Sequence, residues 1–265
     1  MMRNKFATYA VMLAALAAPA LADTFSNGGF ENGNLAGWKQ GGGYWVGEWP
    51  ITPANYLPTG SKYNAAYMVN TVVSPGTDTI SGLNKVYNGT YAVQVNNVVN
   101  NNSVSVISQT VSNYTDSNIY FAWQAVLQGS HGLTDSDNFT LTLTDDTTST
   151  VLYDVSYSSA DAASAALFKT SSTPGYGDWF YTPWQVENLD VSAFVGDTFT
   201  LTLLASDCPY GGHAGYVYLD GFGGAPPVND PHGSPVPEPS TFVMLGTGVA
   251  ALATKFRNKL MRSAA

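Results

Sequence analysis

The residues of this chain best suited to hold a metal or move a proton are His131, His213 and His232, the lone Cys208, and four glutamates, Glu31, Glu48, Glu187 and Glu238. The histidines stand far apart in sequence and fit no zinc spacing such as His-x-x-x-His. His213 follows Cys208 in the loop CPYGGH, and a thiol beside an imidazole is the pairing a thiol nucleophile requires. The stretch LTDSDN sets Asp135 and Asp137 at the first spacing of a calcium loop, with Asp145 and Asp146 one strand later. It lacks the glycine at the sixth position and the distal glutamate, so a solvated acidic turn is expected there. Glycoside hydrolysis needs two carboxylates flanking a sugar, and among the glutamates Glu48 alone lies among aromatics, in YWVGEWP. The expected role of Glu48 is solvation or accepting a hydrogen bond from a sugar hydroxyl, so no catalytic residue is assigned and the protein is not read as an enzyme.

Aromatic side chains carry more information. The chain has 6 Trp and 16 Tyr, many for its length, and several fall in Gly/Pro-rich stretches rather than on a strand face. Tyr44, Trp45 and Trp49 form one group; Tyr176 and Trp179 lead a second, GYGDWFYTPW. Sugar rings present C–H faces that stack on such side chains while a few polar groups orient the hydroxyls. These five are the expected carbohydrate-binding residues.

Strands must position them. Phe139, Leu141 and Leu143 alternate with threonines in NFTLTLTDD, as do Phe199, Leu201 and Leu203 in DTFTLTLLAS. Tyr91, Val93 and Val95 share one face of YAVQV, Ile119, Phe121, Trp123 and Ala125 one face of IYFAWQAV, and Val151, Tyr153 and Val155 one face of VLYDVSY. This period of two marks half-buried strands. A helical period occurs only in the short Ala-rich run up to Leu167. With 26 glycines and many Asn/Asp/Ser clusters between the strands, the expected fold is all-β, an antiparallel sandwich or jelly roll. No internal repeat is present, and with Cys208 unpaired the fold must rest on its core.

The two ends differ from this body. Residues 1–22 carry Arg3 and Lys5, then an uncharged apolar stretch from Ala10 to Ala18, then Ala20-Leu21-Ala22. Basic, apolar, small-x-small is the order of an export signal cut by signal peptidase. Residues 224–235 are Pro-rich and aperiodic, a semi-extended linker. At the C-terminus, Pro239 to Thr254 is uncharged and as a helix would reach roughly 24 Å, marginal for a hydrocarbon core of about 30 Å. Lys255, Arg257 and Lys259 follow, and such a cluster favours the cytoplasmic side, leaving the body outside. Between the ends, Lys39, Lys62, Lys85 and Lys169 face 19 carboxylates, a formal charge of about −15. Nucleic acid and anionic lipid are thereby excluded as partners of the body, since both need clustered Lys/Arg.

Val-Pro-Glu-Pro-Ser, a short Gly/Ala/Leu-rich segment and a basic end, in that order, resemble the PEP-CTERM sorting signal of Gram-negative bacteria, with Pro237, Glu238 and Pro239 as its motif. The resemblance implies a precursor held in the inner membrane by a helix over 240–254 within a signal at 236–262, cutting by an exosortase near Glu238, and a cell-surface or matrix location connected with exopolysaccharide. The opening TFSNGGFENGNLAGW and the closing LDVSAFVGDTFTLTLLASDCPYGGHAGYVYLDGF resemble the first and last strands of galactose-binding-like, carbohydrate-binding jelly rolls. That second resemblance covers residues 23–223. It implies a structural calcium held by Glu31 and Asp220, with Gly221 replacing a further possible ligand, a core position for Trp38, and a structural role for the Cys208–His213 loop. The expectation is an exported, non-catalytic cell-envelope protein that associates with polysaccharide. The alternatives are a structural or adhesive surface protein without a defined ligand, and a glycoside hydrolase.

Overall fold

The computed structural model describes residues 25–229 and 231. The signal segment 1–22, His232 and the sorting segment 236–262 lie outside the described residues. Two antiparallel sheets face one another. The first contains, in spatial order, β1 (Lys39–Tyr44), β4 (Ser103–Val111), β11 (Phe199–Ser206), β6 (Asn138–Asp145) and β7 (Thr150–Ser158). The second contains β2 (Asn70–Val73), β3 (Ala92–Val95), β12 (Gly215–Gly223), β5 (Asn118–Gln128), β9 (Trp179–Tyr181) and β8 (Lys169–Thr170), and β10 (Gln185–Asp190) pairs with the first half of β5. Neighbours such as β4 and β11, far apart in sequence, give the sandwich its crossovers.

The alternating residues build the core as their period requires. Leu201 pairs with Leu143 and Leu203 with Leu141 in the β11–β6 register, and all four are fully buried while the intervening threonines reach the outer face. Opposite them stand Val93, Val95, Phe121, Trp123, Val217 and Leu219 of the second sheet. Alternation gives way to burial on both faces in β4, β5 and β12, and in β7 it shifts by one residue. The β6–β7 register slips between Leu143 and Thr144, so Leu152 is an extra residue and Val151 turns out to solvent at 56% exposure. Residues Ser159–Ala162 form a single helical turn, α1, shorter than the Ala-rich run suggests. Its capping box explains where it starts: Ser158 accepts from the Asp161 backbone, and Asp161 accepts from the Ser158 backbone.

The outer faces of both sheets are also covered. On the first, the excursion 45–68 lies against β1, whose sequence KQGGGY has no side chain at three successive positions. A Cβ on Gly42 would sit 2.5 Å from the Cα of Met68, and one on Gly41 or Gly43 would meet the backbone of Tyr56 or Lys62. Gly42 instead accepts from Asn64 N–H and donates to Tyr56 C=O. The excursion thus occupies what would be a bare sheet edge. On the second sheet, segments 74–90 and 171–184 cover β12 and β5.

Candidate functional site

The 45–68 excursion anchors itself through one apolar cluster, Trp45, Ile51 and Tyr56 packed on Val104, Val106 and Leu204. Trp45 is fully buried and its indole N–H donates to the Glu48 carbonyl at 3.1 Å, so it presents no ring face to a ligand. The expectation that Trp45 binds sugar is corrected on that ground: as β1 ends, successive side chains point to opposite sides, Tyr44 outward and Trp45 inward. Other rings of the same excursion remain open. Tyr44, Trp49 and Tyr63 are 45%, 41% and 38% exposed. Within that stretch Glu48, just before Trp49, forms an ion pair with Lys62, just before Tyr63. Tyr44 also packs on Tyr67, ring centroids 5.3 Å apart. The excursion and the strand end that leads into it thus leave three rings and one ion pair exposed to solvent.

Tyr63, Tyr67 and Lys62 escaped the sequence reading. The signal was there: GSKYNAAY sets tyrosines in a polar, Gly-rich loop, as YWVGEWP sets its tryptophans. Glu48, the candidate hydrolase carboxylate, is engaged with a cation rather than a second acid. Of the other glutamates, Glu187 accepts from the Trp123 indole and the Tyr153 hydroxyl, and Glu31 is bound to backbone.

A second aromatic row crosses the outer face of the other sheet. Tyr176, Trp179, Tyr216, Tyr218, Trp184 and Tyr87 follow one another with centroid separations of 5.5–6.3 Å. Its centre is closed. Trp179 is 5% exposed and Tyr216 and Tyr218 are each 1%, because Ile80 packs on them and Asp78 accepts from both tyrosine hydroxyls at 2.8 and 2.9 Å. Burial, then the charge of Asp78, raises both phenols above their usual range. Trp179 is therefore a packing residue, a second correction, while Tyr176 stays half-buried at the end of the row.

Glu31 and Asp220 come together from opposite ends of the chain on one short segment. Asp220 is fully buried, and its Oδ2 accepts from the backbone N–H groups of Tyr87 and Asn88 at 2.8 and 2.9 Å. Glu31 accepts from Thr90 and Tyr91 N–H at 3.1–3.2 Å. Gly89 between them adopts φ +74°, where a side chain would collide with the Glu31 carboxylate. Burial pushes both carboxyls up, that of Asp220 well above the usual range, with the Glu31 charge adding to it. Oδ1 of Asp220 is buried without a hydrogen-bond partner. Two hard carboxylates, one with an unsatisfied buried oxygen, are a donor set that fits Ca²⁺.

The acidic turn is solvated only in part: residues 131–134 and Asp146 are exposed and Asp135 is half-buried. Asp137 and Asp145 are fully buried; Asp137 Oδ2 accepts from Gln128 N–H, and Asp145 is wrapped by Thr147 and Thr148. Burial raises the Asp137 carboxyl well above its usual range. Histidines distant in sequence also prove to be neighbours: His131 meets His213 with ring centroids 5.1 Å apart, and the Cys208 thiol lies 3.6 Å from His213 Nδ1. Trp38 is 6% exposed and stacks on Phe30, a core residue.

These observations define a two-sheet antiparallel β-sandwich with exposed aromatic side chains along the 44–63 stretch. Residues 235–258 match the model of the PEP-CTERM protein-sorting motif, which marks an exported protein. Similar solved structures include TmCBM61 in complex with beta-1,4-galactotriose (14% identity, TM-score 0.40, covering 76% of this chain and 96% of that one). Another is a non-crystalline cellulose-specific carbohydrate-binding module (14% identity, TM-score 0.36, 76% and 96% covered). A third is a cleaved adhesin domain of Lys-gingipain from Porphyromonas gingivalis (13% identity, TM-score 0.35, 74% and 94% covered). These likenesses concern architecture. No curated protein matches the chain. No described helix is long and apolar enough to cross a membrane.

Proposed function

We propose that this is a non-catalytic surface or matrix protein of a Gram-negative bacterium that binds polysaccharide through the exposed rings of Tyr44, Trp49 and Tyr63. The carrying observation is that these rings stay 38–45% exposed while Trp45 in the same loop is fully buried. Large aromatics left in water are where a sugar face gains most by stacking, and the Glu48–Lys62 pair supplies an acceptor and donors for hydroxyls. Tyr176 is a secondary contact. Export would use cleavage after residue 22 by signal peptidase. The precursor would be held by a helix over 240–254 until an exosortase cuts near Glu238, freeing the sandwich and its 224–235 linker. One Ca²⁺ held by Glu31 and Asp220 would tie the N-terminal loop and β12 to the segment 87–91; its role is structural.

A glycan array tests the binding reading. The wild-type protein is expected to select one family of neutral polysaccharides and the Trp49→Ala variant to lose that signal. A blank array at high protein concentration would instead favour a purely adhesive or structural role, and release of reducing sugar dependent on Glu48 would favour hydrolysis.

A further inference from the structure

We propose that His131, Cys208 and His213 form a zinc site at the end of the sandwich where the β5–β6 and β11–β12 loops meet. One ligand atom from each lies within 4.8 Å of the others. Sequence spacing concealed this, because His131 comes from a different loop than the other two.

The CPYGGH loop is folded so that its first and last residues face each other. Cys208 N–H donates to the His213 carbonyl, Gly211 N–H donates to the Cys208 carbonyl, and Gly211 and Gly212 both take positive φ, +72° and +101°. That reversal, open to glycine and strained for other residues, returns His213 beneath the thiol. Zn–S near 2.3 Å and Zn–N near 2.0–2.1 Å at a tetrahedral angle require a sulfur–nitrogen separation of about 3.6 Å. Cys208 Sγ and His213 Nδ1 are 3.6 Å apart. The third ligand closes by rotation of an exposed side chain through at most about 1.4 Å, since tetrahedral ligand atoms stand about 3.4–3.6 Å apart. Its ring is already held edge-on between Tyr210 and His213, centroids 5.2 and 5.1 Å away.

The surroundings favour a soft or borderline dication over a hard one. The donors are one sulfur and two imidazole nitrogens, which suit Zn²⁺ and not Ca²⁺ or Mg²⁺. Ser130 Oγ lies 3.0 Å from His213 Nδ1, so a hydroxyl stands beside that nitrogen. The charge of Asp178, which acts on His213, would offset part of the ion's. Binding displaces the thiol proton to solvent, one per ion: thiol plus Zn²⁺ gives Zn–thiolate plus H⁺. The site also accounts for a single buried cysteine kept in an exported chain, where an uncoordinated thiol has no disulfide partner.

The test is titration of the purified, metal-stripped full chain with Co²⁺ and then Zn²⁺. The expected result is one Co²⁺ per chain with a thiolate-to-cobalt charge-transfer band and tetrahedral visible bands, both abolished as Zn²⁺ displaces it. Cys208→Ser is expected to lose the charge-transfer band. His131→Ala, at an exposed position that does not threaten folding, is expected to weaken binding by at least the 10–100-fold that even a supporting residue costs. Co²⁺ binding without a thiolate band, or equal Zn²⁺ affinity in wild type and His131→Ala, would overturn the proposal.

Discussion

Removing calcium should expose the conflict built into the Glu31–Asp220 pair. Asp220 is fully buried, two backbone N–H groups satisfy its Oδ2, and Oδ1 has no hydrogen-bond partner. An ion on Oδ1 present at 100 times its dissociation constant stabilises the native state by about 2.7 kcal/mol. For a domain of this size each kcal/mol moves the melting temperature by about 2–4 °C, so EDTA should lower it by about 5–11 °C. Asp220→Asn sharpens the test. The amide oxygen can still accept from Tyr87 and Asn88, while the amide nitrogen occupies the orphaned position. In calcium the variant should therefore melt below wild type, and in EDTA it should match or exceed it, because a buried charge is gone. The pH dependence should reverse as well. Without the ion, burial raises both carboxyls in the folded state, so their contribution is fully present below the ordinary carboxylate pKa of about 4 and is lost as pH rises. With the ion both are held ionised, their folded pKa falls below the unfolded value, and the contribution is present above about pH 4 and lost as pH falls. Differential scanning calorimetry across pH 2–8 on metal-stripped protein, with calcium added back or withheld, reads all three effects without disturbance from the zinc site. Superimposable melting curves in the two buffers would refute the calcium reasoning.

Other outcomes follow from the covers on the two sheets. Asp78→Ala leaves two hydroxyls that are 1% exposed without their acceptor, at about 1–3 kcal/mol each, and urea unfolding should show a loss of about 2–6 kcal/mol. Gly42→Ala forces the 45–68 excursion off β1 and should cost about 1–3 kcal/mol, read as a lower urea midpoint with an unchanged slope. Co-expression with an exosortase should shorten the chain near Glu238 by intact mass. A tail retained equally with and without the enzyme would sink the sorting assignment.

The sandwich was legible in the sequence wherever a strand has one buried and one wet face. NFTLTLTDD and DTFTLTLLAS read directly, and their leucines pair across β6 and β11. VLYDVSY misled at Val151 because a single extra residue, Leu152, reverses which face the alternation reaches, and nothing local announces that slip. The loops were harder for a different reason. Tyr44 and Trp45 are adjacent, yet one is 45% exposed and the other fully buried, because burial in a loop depends on what lies beneath it. Trp45 has Val104, Val106 and Leu204 beneath it. The triple glycine of β1 was the available clue that a segment would press on that strand. Glu31 and Asp220 could be brought together only through resemblance to other jelly rolls, since the residues between them carry no spacing rule. The meeting of His131 with Cys208 and His213 has no sequence signature either, as it depends on two loops sharing one end of the fold.

The central claim, that exposed rings of the 45–68 excursion bind polysaccharide, is tested most directly by tryptophan fluorescence. Trp38, Trp45, Trp123 and Trp179 are 0–6% exposed and Trp184 is half-buried on the other sheet, whereas Trp49 is 41% exposed, so a sugar stacking there should shift and saturate the emission of Trp49 in particular. Titration of wild type with the polysaccharide selected on the array should give that saturable shift, and Trp49→Phe should abolish it while Tyr44→Ala weakens binding roughly tenfold, about 1.4 kcal/mol for one stacked ring. An identical saturable shift in Trp49→Phe would place the ligand elsewhere and contradict the account.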